Sequence, residues 1–323
     1  MRRREFIAGL TGAAVWPLAA HTQQPKVPLI GLLNAVSFDG PYAVPVAAIR
    51  QGLAETGFVD GQNLAIEYRS AYGQYEQLPD LAADLARAQV AVIVAIGALT
   101  PALAAKAAAL ATPVVFATGS DAAEVGMVDS LNGRDGNVAA PSAASERLEL
   151  LLELRPGVRL IGYLDNSRLS GAFDTNVEAI TTAARNRGRE LVVFDAGTEQ
   201  ELETAFTQMA LQRVRALVVS ADAFLTTRQE QIITLAAQSR LPAIYAARGA
   251  VVLGGLMSYG VLTNDMYRLA GIYAGRILKG ATPAEMRVTL PKRFEFVINN
   301  RTARALRITM PRRLLIRADE IID

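Results

Sequence analysis

The chain has no cysteine, and it has one histidine and one tryptophan among its 323 residues. The absence of cysteine excludes disulfide bridges, thiolate metal sites and cysteine nucleophiles. His21 and Trp16 both lie in the first 22 residues. If processing removes those residues, the remaining chain also lacks imidazole, which excludes Ser-His-Asp catalysis and histidine-bound metal. Most hydrolase mechanisms are then excluded.

The N-terminal segment has the features of an export signal. Arg2–Arg4 precede an apolar stretch over residues 6–18, which is followed by the small residues Ala19 and Ala20. The stretch is shorter than the ~20 residues that span a bilayer, which argues against a membrane helix. The order Arg-Arg-Glu-Phe-Ile in this segment resembles the twin-arginine export signal of bacteria. We predict a signal peptide over residues 1–22, cleaved between Ala20 and Gln23, and a soluble periplasmic product.

Charge and motif content narrow the classes of function further. Loss of the predicted signal peptide removes three arginines and Glu5, which lowers the formal net charge from +2 to 0. A neutral chain without a basic stripe is not expected to bind nucleic acid. The chain has no P-loop motif, and Gly31–Asn34 lacks the glycine pattern of a dinucleotide site. We therefore expect no cofactor and no metal, while catalysis by carboxylates alone stays open.

Short apolar runs alternate with helical patterns along the chain. In the run over residues 90–96, continuous apolarity fits a strand buried on both faces of a parallel sheet. Helix start signals stand between the runs, namely Thr100-Pro101 and the capping box formed by Thr198 and Glu201. The sequence therefore predicts an α/β fold with doubly wound parallel sheets. The predicted strands are residues 28–33, 64–68, 90–96, 113–116, 160–164, 191–194, 216–219 and 242–245.

These eight runs form two sets of four, separated by turn formers over residues 129–137. A second turn-rich break, residues 254–260, precedes a helical pattern over residues 264–278. The pattern predicts two lobes joined by a hinge that the chain crosses more than once. Lobe 1 is predicted as residues 23–138 plus 258–282, and lobe 2 as residues 139–257 plus 283–323.

The loops that follow the strands are the expected ligand site, because ligands of open parallel sheets lie beyond the carboxyl ends of the strands. Thr118, Ser120 and neighbouring amides are candidates to hold a carboxylate, and Asp121 or Asp222 to accept from an ammonium group. Each of these residues could instead serve as a helix cap or a packing residue. Arg248 is expected to form a surface ion pair rather than to clamp an anion. The aromatic candidates to face an apolar ligand group are Phe38, Tyr42, Phe224, Tyr245 and Tyr259.

Several separate sequence motifs follow one another along nearly the whole chain, in the order of the family that they resemble. They are residues 2–6, 58–63, 66–69, 74–79, 113–116, 130–132, 136–138, 254–260, 271–280 and 317–322. With these motifs the sequence resembles the ABC-transporter substrate-binding proteins of the tryptophan/tyrosine-binding type, whose members have a type I periplasmic binding-protein fold. The chain departs from that family at residues 139–140, where Ala-Ala replaces Thr-Gly, and at Gly249, which replaces Glu.

The resemblance implies two lobes that close on a small ligand and then dock on a membrane permease whose ATPase subunits drive import. It implies a delivery protein without catalytic activity, and we expect a monomer. The implied ligand is an aromatic amino acid, within a wider class that includes aliphatic amino acids and aromatic carboxylates. A periplasmic sensor module and an exported carboxylate enzyme are the alternatives. The ligand contacts carried over at matching positions are Asn34, Ser37, Gly97, Thr118, Gly119, Asp121, Asn166, Asp222 and Tyr245.

Overall fold

The computed structural model describes residues 27–108, 111–118, 124–127, 143–166, 175–282, 286 and 293–323. The predicted signal peptide and the predicted break over residues 129–137 lie outside these residues. Among the described helices, none combines the length and the apolarity that a bilayer crossing requires.

The first sheet has five strands in the order β2-β1-β3-β4-β5. Its strands are β1 (Leu29–Asn34), β2 (Ala65–Ser70), β3 (Val92–Gly97), β4 (Val114–Thr118) and β5 (Glu124–Met127). β1 to β4 are parallel, and β5 is antiparallel to β4. The first four predicted strands are therefore confirmed, and β3 and β4 are buried along their whole length. The sequence pattern does not predict β5.

The second sheet has seven strands in the order β12-β11-β10-β9-β8-β6-β7. Its strands are β6 (Leu160–Asp165), β7 (Glu190–Asp195), β8 (Leu217–Val219), β9 (Ala243–Tyr245), β10 (Met257–Val261), β11 (Phe294–Asn299) and β12 (Glu320–Ile322). β6 to β9 confirm the remaining four predicted strands.

The strand β10 corrects the interpretation of residues 254–260 as a turn-rich break. β10 pairs in parallel with β9 and antiparallel with β11. Position 260 within this strand requires glycine, because a Cβ there would lie 1.8 Å from the backbone oxygen of Ala246. Residues 258–261 thus belong to the second sheet and not, as predicted, to lobe 1.

Helices connect the strands and cover both sheets. They are α1 (Ala43–Glu55), α2 (Leu78–Arg87), α3 (Leu99–Ala108), α4 (Ala143–Leu154), α5 (Thr175–Asn186), α6 (Glu199–Leu211), α7 (Ala223–Thr227), α8 (Gln229–Gln238), α9 (Arg248–Val252), α10 (Thr263–Leu278), α11 (Asn300–Ala305) and α12 (Arg312–Arg317). The predicted Thr198 cap is present at α6, where the Thr198 hydroxyl accepts from the Glu201 amide at 3.2 Å, and the Glu201 carboxylate accepts from the Gly197 amide at 2.9 Å. α3 begins at Leu99, before the predicted cap at Thr100.

The helix α10 confirms the predicted helical pattern over residues 264–278 and returns the chain to the first sheet. It packs on α1 and against β3, β4 and β5. The two helices approach closely at glycine, since a Cβ at Gly271 would lie 2.1 Å from the Ile49 oxygen and one at Gly52 would lie 1.9 Å from the Arg268 oxygen. We define lobe 1 as the described residues of 27–127 and 262–282, and lobe 2 as those of 143–261 and 293–323.

Candidate functional site

The two lobes contact each other through the short helix α7. This helix follows β8 in lobe 2 and packs on the Gly40–Tyr42 turn of lobe 1. Its first residue, Ala223, is fully buried in the same hydrophobic cluster as Tyr42 and Tyr267 of lobe 1. The described structure therefore has its lobes in contact at the carboxyl ends of the strands.

On the lobe 1 side, Asn34, Gly97 and Thr118 stand at the ends of three neighbouring strands. Asn34 is fully buried, and its Nδ2 donates to the Ser37 backbone oxygen at 3.4 Å. Among the described residues, its Oδ1 has no hydrogen-bond partner. Gly97 has a φ of +89°, and a Cβ there would lie 2.6 Å from Asn34 Oδ1 and 3.1 Å from the Tyr42 hydroxyl. Because Gly97 has no side chain, Asn34 Oδ1 and the Tyr42 hydroxyl can both lie close to its backbone. The buried Thr118 is the partner of Gly97 on the next strand.

On the lobe 2 side, Asn166, Ser220 and Asp222 follow β6 and β8. Asn166 Nδ2 donates to Asp222 Oδ1 at 3.3 Å, and the Leu225 amide donates to the same oxygen at 3.0 Å. Burial raises the pKa of the Asp222 carboxyl to about 6, although these two hydrogen bonds act in the opposite direction. Asn166 Oδ1 and Ser220 Oγ are buried and lack partners within the described part of the chain.

Asp222 also faces two tyrosines of lobe 1. Burial raises the pKa of the Tyr42 hydroxyl, and the neighbouring Tyr267 and Asp222 raise it further. Burial also raises the pKa of the Tyr75 hydroxyl, and the negative charge of Asp222 is the second cause. The predicted residues Asn34, Gly97, Thr118, Asn166 and Asp222 therefore lie at or just beyond strand ends on the two sides of the lobe contact, and Tyr42 lies in the turn that contacts α7.

A cavity of about 420 Å³ lies between the lobes. This volume is within the range of roughly 300–1,000 Å³ that is typical of small-molecule sites. Of the predicted ligand residues that the structure describes, Tyr42 lines the cavity, and Asp222 directly follows the lining residue Ala221; Arg248 lines it as well. Other residues that line the cavity are Val44, Pro45, Asn264 and Tyr267 of lobe 1, and Ala143, Arg147, Thr226, Ala246 and Glu295 of lobe 2. No cluster of acidic or histidine side chains that could hold a metal ion occurs in the described ranges.

Three predicted aromatic residues of lobe 2 have packing contacts. Tyr245 is buried in the core with Phe224, and its ring lies where a Cβ on Gly255 would touch it at 2.8 Å. The Tyr259 ring stacks on Phe294 with ring centroids 5.4 Å apart. These three residues are not among those that line the cavity within the described structure. A ligand contact for them stays a prediction.

The other predicted residues divide into three groups. Ser37 bonds locally, since its Oγ accepts from the Asp39 amide at 3.1 Å, and Phe38 packs edge-on against Tyr68. Gly119, Ser120 and Asp121 lie outside the described residues. The predicted ion pair of Arg248 is confirmed, since its guanidinium contacts both carboxylate oxygens of Glu320, at 2.6 and 2.8 Å.

Sequence reasoning missed Tyr75, Ser220 and Arg147 as individual site residues. Tyr75 stands in a short turn before α2, and only the contact between lobes places it beside Asp222. Arg147 stands in a charged stretch of α4 that resembles a solvated helix face, yet its side chain is buried. For Ser220, the signal in the sequence is its position directly after a strand.

Comparisons with known proteins agree with this architecture. Residues 29–322 match the family described as ABC transporter substrate binding protein. The chain is 26% identical over 262 residues to a tyrosine-binding protein of Clostridioides difficile strain R20291, an alignment that covers 79% of this chain and 74% of the relative.

Two solved structures share the fold over most of the chain. One is the ABC domain from Streptococcus pneumoniae in complex with L-Trp, with 25% identity, a TM-score of 0.76, and coverage of 91% of this chain and 100% of that one. The other is a conserved domain protein from Vibrio cholerae O1 biovar El Tor, with 23% identity, a TM-score of 0.80, and coverage of 92% and 100%. With two parallel-sheet lobes of the type I periplasmic binding-protein fold and a match from residue 29 to residue 322, the chain belongs to the ABC transporter substrate-binding protein family.

Proposed function

We propose that the protein is the solute-binding receptor of an ABC importer and that it closes its lobes on one amino acid with an aromatic or other apolar side chain. The observation that carries this proposal is a set of buried acceptor atoms from both lobes. Asn34 Oδ1 of lobe 1 and Asn166 Oδ1 of lobe 2 have no partner among the described residues, and the Asp222 carboxylate is hydrogen-bonded to the Asn166 amide at 3.3 Å. A buried acceptor without a donor costs about 1–3 kcal/mol.

An ammonium group is the complement of these acceptors, because it carries three donors and a positive charge. The orientation of both amides is set by their own hydrogen bonds: Asn34 Nδ2 donates to Ser37, and Asn166 Nδ2 donates to Asp222. Each side chain therefore presents its oxygen to the remaining space. The tyrosine and aliphatic residues of the cavity suit an apolar side chain attached to that ammonium group.

The relatives support the ligand class, since one is described as tyrosine-binding and another holds L-Trp. Delivery to a membrane permease accords with the family, and export by the predicted signal peptide accords with delivery outside the cytoplasm. The protein is then a carrier that releases its ligand unchanged. An enzyme would instead release a product.

A thermal-shift screen of the processed protein against the standard L-amino acids and aromatic carboxylates tests the ligand class. A ligand present at about 100 times its dissociation constant adds about 2.7 kcal/mol of stability. We expect aromatic or large aliphatic amino acids to raise the melting temperature most. Uptake of the radiolabelled ligand by cells with and without the gene then tests import. Normal uptake in the deletion strain, or conversion of the ligand by the purified protein, contradicts the proposal.

A further inference from the structure

We propose that lobe 2 carries a second binding surface, which attaches the protein to a membrane that contains anionic phospholipids. The surface consists of Arg155, Arg159, Arg213, Arg215 and Arg240, and we call it the arginine surface. It lies away from the cavity between the lobes and goes beyond the proposed function. Its partner is a bilayer, so its test needs no solute.

The fold gathers these arginines at one edge of the second sheet. They belong to the loops over residues 155–159, 212–216 and 239–242, which lead into β6, β8 and β9. The three strands are parallel neighbours, so their loops lie side by side at the edge opposite to the carboxyl ends. The sequence shows no basic run here, because the arginines come from separate segments that only the sheet brings together.

Two adjoining depressions make the five arginines one continuous surface. Arg155 and Arg215 line both of them, and their volumes are about 160 and 700 Å³. Arg240 lines the smaller depression, and Arg159 and Arg213 line the larger one. All five residues are exposed, so their charges face solvent.

The charge of the arginine surface is not neutralised within the described part of the chain. The three loops contain no Asp or Glu, and none of the five arginines forms an ion pair with a described acidic residue. Other arginines of lobe 2 do form such pairs: Arg187 contacts Glu149 at 2.8 Å, and Arg313 contacts Glu153 at 3.3 Å. The arginine surface therefore presents a cluster of uncompensated positive charges.

Two of the arginines occupy backbone positions that favour glycine. Arg213 follows α6 with a φ of +60°, and Arg240 follows α8 with a φ of +49°. A residue with positive φ after a helix is usually glycine, because a Cβ is strained there. Gly188 occupies the equivalent position after α5, with a φ of +63°. Arginine at the other two positions costs backbone strain, and a use for the charge explains that cost.

An exposed apolar side chain borders the arginine surface. Leu211 ends α6, two residues before Arg213, and is 79% exposed. It lines a hollow together with Phe206, Leu235 and Ser239, and Ser239 also lines the smaller arginine depression. Cations and a protruding apolar side chain thus share one face of the protein.

A bilayer of anionic phospholipids complements both parts of this face. Its headgroups attract the guanidinium groups, which bind phosphate with two parallel hydrogen bonds, and its acyl region accepts an apolar side chain such as Leu211. A nucleic acid offers phosphates but no apolar region for Leu211, and the three loops contain no aromatic residue that could stack on its bases. The charge and the apolar side chain together therefore favour a membrane.

Co-sedimentation with lipid vesicles tests the proposal. One set of vesicles contains phosphatidylcholine alone, and the other contains equal parts of phosphatidylcholine and phosphatidylglycerol. The fraction of processed protein bound is measured at low and at high salt, and a DNA duplex is added as a competitor in a further series. Thermal melting and amino-acid binding of each variant check that it is folded.

The variants remove charge from the arginine surface, its apolar neighbour, or charge from elsewhere. As the matched control, Arg276 and Lys279 are exposed cations of lobe 1 without an ion pair in the described residues. The variants are Arg213→Gly with Arg240→Gly, Arg155→Gln with Arg159→Gln, Leu211→Ser, and Arg276→Gln with Lys279→Gln.

We expect wild-type protein to bind the mixed vesicles at least about tenfold more tightly than phosphatidylcholine, and high salt to remove this preference. An arginine near an anionic membrane contributes about fivefold to binding, so each double arginine variant should bind about twentyfold more weakly. The glycine pair should stay folded, since glycine relieves the backbone strain. Leu211→Ser should weaken binding by about fivefold, because it removes an apolar contact. The lobe 1 control should change binding by less than about threefold.

The outcomes separate this proposal from the receptor function. A wild-type preference for the mixed vesicles of less than about threefold overturns it, and that result does not depend on the folding of any variant. Unchanged vesicle binding in both double arginine variants, or displacement of the vesicles by DNA at equal phosphate concentration, also overturns it. Each of these results leaves amino-acid binding intact. Vesicle binding without amino-acid binding would instead contradict the proposed function alone.

Discussion

The side-chain amide of Asn166 donates to the carboxylate of Asp222 at 3.3 Å, and this bond links the loops after two neighbouring strands, β6 and β8. It fixes the amide so that Asn166 Oδ1 faces away from the carboxylate. The same carboxylate caps α7, the helix that contacts lobe 1. Ligand recognition and lobe contact therefore depend on one acidic residue.

The pH dependence of binding should report on Asp222. Burial raises the pKa of this carboxyl to about 6, so the group is ionised at neutral pH and protonated below that value. An ammonium ligand pairs with the ionised form, and affinity must fall as the pH falls through 6. We expect about tenfold weaker binding at pH 5 than at pH 7.5, measured by calorimetry. Asp222→Asn should abolish this dependence, while the exposed Asp80→Asn should retain it.

In the absence of ligand, Asp222→Asn should stabilise the protein at alkaline pH. Because the pKa of Asp222 is higher in the folded protein than its ordinary value of 3.8, its stabilising contribution is present below that value and is lost as the pH rises through 6. Asp222→Asn removes the buried charge, and Asn still caps a helix. We expect the variant to be more stable than wild type at pH 8, by up to about 3 kcal/mol. A loss of stability at pH 8 in urea denaturation contradicts this account.

Gly97 should be required for binding more than for folding. A Cβ at this position meets Asn34 Oδ1 and the Tyr42 hydroxyl, and the positive φ adds backbone strain. Gly73 has a similar φ of +87°, but a Cβ there would meet no atom within 4 Å, so Gly73→Ala is a matched control. Both alanine variants should lose about 1–2 kcal/mol of stability. Gly97→Ala alone should weaken ligand binding, by at least about tenfold; equal affinities would contradict the assignment of Asn34 to the site.

The packing of α10 on α1 predicts a large effect at Gly271. The Cβ of an alanine there would lie 2.1 Å from the backbone oxygen of Ile49, and a backbone atom cannot move aside as the end of a side chain can. We expect Gly271→Ala to destabilise the protein by about 3 kcal/mol in urea denaturation. Gly157→Ala, which meets no atom within 4 Å, should change stability by less than about 0.5 kcal/mol.

Processing of the N-terminus has a spectroscopic signature. Trp16 is the single tryptophan of the chain and lies within the predicted signal peptide. The exported protein should therefore show tyrosine emission alone, and its mass should correspond to cleavage between Ala20 and Gln23. Tryptophan emission from protein recovered from the periplasm would show that the segment is retained.

Much of the fold can be predicted from the sequence, because the buried strands appear there as short continuous runs of apolar residues. The apolar run of β3 and the helical period of α10 depend on short-range pattern, and both are confirmed. The glycines in and before β10 instead predict a break, which is wrong. Gly260 is required by the nearby Ala246 oxygen, a contact with the segment after a neighbouring strand that no local pattern reveals.

The site is predictable only where it follows the strands directly. Asn34, Asn166 and Asp222 lie at or just beyond strand ends, and the rule for parallel sheets locates them. Tyr245 obeys the same rule, but its ring turns into the core beside Gly255. Arg147 comes from a helix, where burial depends on which face the rest of the fold covers.

Calorimetric titration of the processed protein with the standard L-amino acids, followed by recovery of the bound compound, tests the central claim most directly. We predict saturable binding of an aromatic or large aliphatic amino acid, about one per chain, with the compound recovered unchanged. Heat that does not saturate for any of them, or recovery of a chemically altered compound, would contradict a receptor that carries an amino acid between its lobes.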